Sequence, residues 1–538
     1  MTRRRAWPAV GVIGAFAALT VAMTWPQALY LSSRATAHQD IFFNMWRLRW
    51  FAHALATPAR LFDANIFYPE PRTLALSDAM FVEGMLSAPL TWAGLSPVLV
   101  HNLMLLGAIA LSGAAMFALV RYLTGSRGAG ILGGIVFAFA PYRFEHIMHM
   151  ELQWAMWTPL AFLALHRAYD TGQWRYGLAT GACVALQMLS SIYYGIFLAT
   201  LLGLGAPLLF LADRRAPRTQ AAKVMAAGAL VAIGVCVLYA QPYQRVHQRV
   251  GDRPIEEISA FRATGGSYLA TPAGNWLYGS TSTRGGPERR LFPGATPFLL
   301  AIVGLLLRAP SPRVLVYLIL LVAAFEMSFG FRGYLFPFLY EQVSIYRGLR
   351  AFARLGLFVV MFLGILAGFG YAALAANRTR RWRMVLLGAC GIALLAEYRT
   401  RVEVVPYTTA APPIYRLLTR QPLGVLAEFP VPRLNLLPGP DPEYAYLSTF
   451  HWFPMVNGYS GFYPRSYLER IERLRTFPSQ SAIVQLRRDT VAYVIVHGSA
   501  YEPAALNDLR EQIAREAHLV EIGSFEAADG PAFLYRMR

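Results

Sequence analysis

The segment APYRFEHIMHMELQW gathers Arg143, Glu145, His146, His149, Glu151 and Gln153 in one short stretch. His146 and His149 are spaced i, i+3, and Glu145 and His149 i, i+4, which places side chains on one face of a helix. Two imidazoles with two carboxylates, Glu145 and Glu151, form a candidate ligand set for a divalent metal ion. The same groups also suit a polar interfacial turn with hydrogen-bonded histidines. A second cluster opens TAHQDIFFNMWRLRWFAHAL, where His38, Gln39 and Asp40 precede a run with Ile41, Phe43, Trp46, Trp50 and Phe51 at mostly helical spacing. Arg47 and Arg49 fall off that apolar face, as in a helix lying in a membrane interface. Asp40 is then either the N-cap of this helix or a carboxylate held at headgroup depth for acid–base work.

Further along, NIFYPEPRTLALSDAMFVEGML sets Asp78 and Glu83 around the start of an apolar stretch. Asp78 reads as another N-cap or as a second carboxylate facing the same cavity as Asp40. In RGLRAFARLG, Arg350 and Arg354 are spaced i, i+4 at the expected mouth of a helix. A guanidinium fork binds phosphate bidentately, and a helix N-terminus favours an anion; a lipid-headgroup anchor would use the same residues. The aromatic segment FHWFPMVNGYSGFYP holds Trp452, Asn457 and Tyr459. Its rings are suited either to stacking on a sugar or to the core of a small domain. No phosphate-cradling glycine loop, serine elbow or HExxH is present.

These residues need elements to position them. Of 538 residues, 56% are hydrophobic and 15% charged, with a net charge of +19; a soluble domain carries about 25% charge. The basic residues sit in short arginine clusters between long apolar stretches, the pattern of membrane topology rather than of a nucleic-acid surface. Runs long enough to cross ~30 Å of hydrocarbon predict about eleven membrane-spanning helices, at 8–31, 97–122, 128–142, 152–168, 175–190, 192–212, 222–240, 292–307, 313–328, 351–375 and 382–397. The apolar run from Tyr176 to Ala212 is too long for one crossing and is split at Ser190 and Ser191, ahead of Gly195. The N-terminal MTRRRAW segment reads as the start of a first membrane helix rather than a cleaved signal.

With an inside N-terminus, Arg3, Arg4, Arg5, Arg121, Arg127, Arg167, Arg175, Arg214, Arg215, Arg218, Lys223, Arg308, Arg313, Arg378, Arg380, Arg381 and Arg383 all fall inside, against Asp170 and Asp213. The outer segments are then 32–96, 143–151, 241–291, 329–350 and everything after 397. Cys183, Cys236 and Cys390 each lie in an apolar segment and imply no disulfide. From residue 398 the composition changes. GVLAEF, VAYVIVH and AFLYRM are of strand length, and SYLERIERLRTF and AALNDLREQIAREA are helix-like. The predicted organisation is a transmembrane domain over 1–397, with its first outer loop at 32–96, and a small extracytoplasmic α/β domain over 398–538.

This pattern resembles the GT-C superfamily of membrane glycosyltransferases. The resemblance rests on HQD with Asp40, the interfacial WRLRWF helix, the long loop to Leu90, RGLRAFARLG, and STFHWFPMVNGYSGFYP after the spans. Here a histidine and a glutamine precede a single Asp, where the superfamily often pairs acidic residues. The resemblance implies transfer of a hexose or pentose from a polyprenyl-phosphate donor to a glycan or protein acceptor at the outer face of a bacterial inner membrane. It implies Asp40 as the catalytic base and Arg350 and Arg354 on the leaving phosphate. His38, Asp78, Glu83, Trp452, Asn457 and Tyr459 would be the remaining substrate contacts. A divalent ion is the one cofactor considered, at Glu145, His146, His149 and Glu151; nucleic acid is excluded. Asp40 and the Arg350/Arg354 pair are expected to face one outer cavity. A lipid-linked glycan flippase and a non-catalytic envelope scaffold are the alternatives; a flippase would need more polar groups at mid-membrane depth.

Overall fold

A computed structural model of the chain describes residues 9–212, 218–307, 310–527 and 530–538; Arg3, Arg4, Arg5, Asp213, Arg214, Arg215 and Arg308 lie outside the described residues. The helices are α1 (Ala9–Met23), α2 (Gln39–Ala54), α3 (Phe81–Trp92), α4 (Pro97–Thr124), α5 (Arg127–Phe139), α6 (Pro141–Glu145), α7 (Met150–Gln153), α8 (Trp157–Thr171), α9 (Trp174–Ser190), α10 (Ile192–Ala212) and α11 (Arg218–Val250). They continue as α12 (Ile255–Ala260), α13 (Ala295–Leu307), α14 (Pro312–Met327), α15 (Leu335–Gln342), α16 (Gly356–Ala375), α17 (Arg380–Tyr398), α18 (Pro413–Leu418), α19 (Asp441–Leu447), α20 (Arg465–Leu474), α21 (Gln480–Arg488) and α22 (Pro503–Arg515). The strands are β1 (Arg34–Thr36), β2 (Val404–Pro406), β3 (Val425–Phe429), β4 (Val491–His497), β5 (Leu519–Ala527) and β6 (Gly530–Met537).

Among the described residues, four helices are long and apolar enough to cross a membrane: Pro97–Thr124, Ile192–Ala212, Thr219–Val250 and Phe352–Ala375. Ala9–Met23 and Ala295–Leu307 are shorter apolar helices. The chain is a multi-pass membrane protein. The sequence count of eleven exceeds these four. α5 has 13 residues, α8 has 15 and α14 has 16, all below the ~20 that a crossing asks for. The first span, expected to reach Leu31, ends as an α-helix at Met23 and continues as a 3₁₀ turn over Gln27–Tyr30. Pro26 between them has no N–H to continue the helical ladder. The long apolar run does break as read: α9 closes at Ser190, Ser191 is extended (φ −144°, ψ 119°), and α10 opens at Ile192.

Contacts divide the chain into two units: Met1–Leu31, Asn102–Gln241 and Gly251–Val404 in the first, and Ser32–His101, Pro242–Val250 and Val405–Arg538 in the second. The first unit is the helical one. Its helices approach closely where side chains are missing: a Cβ on Gly181 would lie 1.9 Å from the Gly228 carbonyl oxygen, and one on Gly370 would lie 1.8 Å from that of Leu300. Such small-residue crossings let backbones touch where no hydrophobic effect drives helices together.

The second unit contains a mixed four-stranded sheet in the order β3-β4-β6-β5. β3 and β4 are parallel, with Phe429 opposite Val496, and β6 runs antiparallel to both β4 and β5. Three of these strands are the ones the sequence announced. β5 was not, because its register shifts between Glu521 and Gly523 and breaks the alternation. The hydrophobic core draws on both parts of this unit: Trp46, Phe51 and Phe67 from the first loop join Tyr467, Leu486, Val494 and Phe533. Each such side chain contributes roughly 1.5–3 kcal/mol when fully buried. That shared core is why residues 32–101 group with the C-terminal residues, and not with the helices as a division at 397/398 expects. The passage between units near Val404 and Val405 lies close to that expected boundary.

Candidate functional site

In the second unit, the first loop is organised around the start of α2. The N-cap is His38, not Asp40: its backbone is extended (φ −165°, ψ 147°) and its Nδ1 accepts from the Asp40 N–H at 3.1 Å. Asp40 therefore occupies the first helical turn, where a negative charge complements the helix dipole. Its carboxylate is 13% exposed and lies 3.7 Å from His38 Nδ1. The Tyr459 hydroxyl donates to Asp40 Oδ1. Tyr407 fixes the approach to the helix, donating to the Thr36 carbonyl at 2.8 Å and accepting from the His38 N–H at 3.4 Å.

The apolar face of α2 is covered by protein. Trp46 donates from Nε1 to Asn65 at 3.1 Å, Trp50 to the Leu61 carbonyl at 2.9 Å, and Phe51 meets Phe81 edge-on at 5.1 Å. Arg47, expected off that face, is buried and donates to the Asp78 carbonyl at 2.8 Å and to Asn44. Asp78 is not an N-cap either. α3 begins at Phe81 behind Met80, whose φ of 54° turns the chain. Asp78 and Glu83 are both buried in this unit.

The three aromatic-segment residues separate in role. Trp452 stacks on His53, ring centroids 4.2 Å apart at 15°. That contact, with Arg49 nearby, accompanies a His53 pKa pushed below its usual value, first by burial and then by the arginine charge. Asn457, expected to face a sugar, is 1% exposed. Its side chain pairs with Glu428 like a neighbouring strand, accepting from the N–H at 2.8 Å and donating to the carbonyl at 3.0 Å, and it donates to Asp441 at 3.1 Å. An amide satisfied in this way is part of the sheet, not of an open surface. Tyr459 is half-buried and holds Asp40.

In the first unit, the residues expected to bind a metal rearrange. His146 and His149 do meet, Nδ1 to Nδ1 at 3.4 Å, and their third partner is Glu288; one ligand atom from each of the three lies within 4.8 Å of the others. Glu145 is instead paired with Arg290 at 3.0 Å and accepts from the Glu288 N–H at 3.0 Å. Burial raises the Glu145 carboxyl, and Arg290 only partly offsets it. Glu151 is buried beside Arg354 and Tyr194, its charge acting on both. Burial and then the neighbouring His149 push His146 well below its usual pKa, so its ring is neutral. Burial also acts against the Glu288 carboxylate, but the Arg354 charge outweighs it and holds the group ionised well below the usual range. Glu288 sits at φ 60°, in the left-handed region that non-glycine residues rarely occupy.

Arg350 and Arg354 are not on one helix. α16 begins at Gly356; Arg354 lies in the 3₁₀ turn Phe352–Leu355 and Arg350 precedes it. Both guanidiniums hold carboxylates, Arg350 with Glu257 at 2.8 Å and Arg354 with Glu288 at 2.9 Å. Arg354 lies over the Tyr193 ring at 4.7 Å, and the Tyr193 hydroxyl accepts from the Arg350 N–H at 3.0 Å. Arg253 is a further partner of Glu257 at 3.2 Å. Glu257 and Glu288 escape the sequence reading because the outer segment 241–291 shows no helical or strand periodicity that would set a carboxylate on a defined face. The available signal was a carboxylate directly beside the basic run, in PERR. Asp40 falls in the second unit, and Arg350 and Arg354 in the first.

No protein-family model matches this sequence, and no curated protein matches it significantly. Among solved structures, the chain resembles the arabinofuranosyltransferase AftD from Mycobacteria with a TM-score of 0.65 and 14% identity, over 99% of this chain and 40% of that one. ArnT from Cupriavidus metallidurans aligns over 98% of both chains with a TM-score of 0.48 and 13% identity. The chain thus spans well under half the length of AftD, and across nearly all of its own residues it shares the fold of that arabinofuranosyltransferase.

Proposed function

We propose that this chain is a membrane glycosyltransferase that moves a sugar from a polyprenyl-phosphate donor to a glycan or protein acceptor on the outer face of a bacterial inner membrane. The observation that carries this reading is Asp40, a partly accessible carboxylate pinned at the start of α2, in a chain with the GT-C fold. Asp40 takes the proton of the acceptor hydroxyl as its oxygen bonds to the anomeric carbon. The bond from that carbon to the phosphate oxygen breaks, and its electron pair leaves with the lipid phosphate. Arg350 and Arg354 neutralise that phosphate, in competition with Glu257 and Glu288, which they now bind.

His146, His149 and Glu288 are a donor set of two imidazoles and one carboxylate that suits a divalent ion such as zinc or manganese. They are the residues that would hold one; such an ion would supply additional positive charge for the phosphate. The reading includes eleven crossings, an inside N-terminus and an outside C-terminal region, following the arginine asymmetry.

The test is transfer by purified protein from a radiolabelled polyprenyl-phosphate pentose or hexose. Asp40→Asn is expected to lower turnover by about 10²–10⁴-fold with expression and thermal midpoint unchanged. Wild-type turnover in that variant would remove Asp40 as the base and, with it, this reading of the site.

A further inference from the structure

We infer that Tyr459 is a positioning residue for Asp40, so that the C-terminal region sets the orientation of the carboxylate carried by the first loop. The inference rests on the base role proposed for Asp40.

The Tyr459 hydroxyl donates to Asp40 Oδ1 across 419 residues of sequence. A phenol can hold a carboxylate in this way only if its own backbone is fixed, and here it is fixed on both flanks. Ahead of it, residues 454–457 run between the first loop and the sheet. Met455 donates to the Asn65 carbonyl at 2.8 Å, Tyr68 to that of Met455 at 2.7 Å, and Phe67 to that of Asn457 at 2.9 Å. On the other side, Leu426 of β3 donates to the Pro454 carbonyl at 2.8 Å and Val456 to that of Leu426 at 3.0 Å. Gly458 then passes over the Phe67 ring so closely that a Cβ would sit 2.7 Å from it. Behind Tyr459, Phe462 donates to the Leu76 carbonyl at 3.0 Å. The tyrosine ring itself meets Phe43 edge-on at 5.0 Å, one helical turn beyond Asp40.

His38 cannot substitute for this donor through Nδ1, because that atom already accepts the Asp40 N–H. A neutral phenol also suits a base better than a cation would. It directs one carboxylate oxygen without the charge pairing that lowers proton affinity. Rotation about the carboxylate axis is thereby restricted, which is the alignment that proton abstraction requires.

The experiment is a double-mutant cycle on turnover in the transfer assay. Tyr459→Phe is expected to lower kcat by about tenfold or more, the worth of a hydrogen bond to a charged group. KM for the lipid donor and the thermal midpoint should stay unchanged. In an Asp40→Glu background, which displaces the carboxylate, Tyr459→Phe should cause little further loss. If Tyr459→Phe lowers the thermal midpoint, Phe43→Leu, which loosens the same ring contact but keeps the hydroxyl, separates the causes. A kcat loss confined to Tyr459→Phe supports positioning, and an equal loss in both overturns it. Wild-type kcat in Tyr459→Phe, or an undiminished loss in the Asp40→Glu background, overturns it as well. If Asp40→Asn keeps wild-type turnover, the base assignment itself has failed, which is a different result from a silent Tyr459→Phe.

Discussion

Glu288 meets two demands at once: it neutralises Arg354 at 2.9 Å and completes a group with His146 and His149. A lipid phosphate arriving at Arg354 would compete with the carboxylate, and a released Glu288 is a stronger ligand for a metal ion. The neutral state of His146 works in the same direction, since no proton has to leave it before a metal binds. We therefore expect His146→Ala and His149→Ala each to reduce bound zinc or manganese to background. Glu145→Gln, whose parent carboxylate faces Arg290, should retain it. Metal content by plasma mass spectrometry, with equilibrium titration of each ion into the purified protein, reads this directly. Equal metal content in all three variants would remove the metal from the reading and leave the two guanidiniums as the phosphate anchor.

At the scale of elements, the strands β3 and β4 are tied to the segments around them by buried polar groups. Glu428 on β3 accepts from Tyr415 and from His497 on β4, both at 2.6 Å, and Asn457 links Glu428 to Asp441 at the head of α19. Asp441 also accepts from Tyr467 of α20 and from the Gly458 N–H. Burial outweighs those donors and raises the Asp441 carboxyl from 3.8 to about 7. The sign follows from linkage: the folded form binds a proton that the unfolded chain releases, so stability falls as pH rises between those two values and levels off above the upper one. The slope is at most about 1.4 kcal/mol per pH unit. Unfolding midpoints measured between pH 4.5 and 8 should fall with pH in the wild type and less steeply in Asp441→Asn. Parallel profiles would show that Asp441 does not carry the dependence. The same stretch illustrates how local reading fails. Asn457 sits in an aromatic run that invites a sugar, yet its amide closes the edge of β3.

At the scale of the molecule, the first outer loop folds into the same core as the C-terminal residues, and the remaining helices form a unit of their own. A loop that is built into a C-terminal region requires that region to be on the same side of the membrane. In the proposed topology the arginine asymmetry puts both outside. Reporter fusions at Ala411 and at Arg218 are therefore expected to report opposite faces. A cytoplasmic signal from both would mean that α9 and α10, broken at Ser191, do not cross separately, and would reverse every later segment.

The sequence by itself determined what depends on near neighbours in the chain. Apolar length marked the four helices that are long and apolar enough to cross a membrane among the described residues, out of eleven expected, the polar pair at Ser190 and Ser191 marked a helix break, and strand-length apolar runs marked β3, β4 and β6. It also brought out Asp40, because a carboxylate ahead of an amphipathic run is a local pattern. Tertiary structure alone decided which side chains meet. Tyr459 reaches Asp40 over 419 residues, and Glu288 reaches Glu145 over 143. Arg350 and Arg354, read as one helical pair, diverge to Glu257 and Glu288 because α16 starts after them. Periodicity records which face of an element is buried, but it carries no record of what the fold lays against that face. Ion pairs and single hydrogen bonds between distant segments leave no repeating trace for a sequence reading to find.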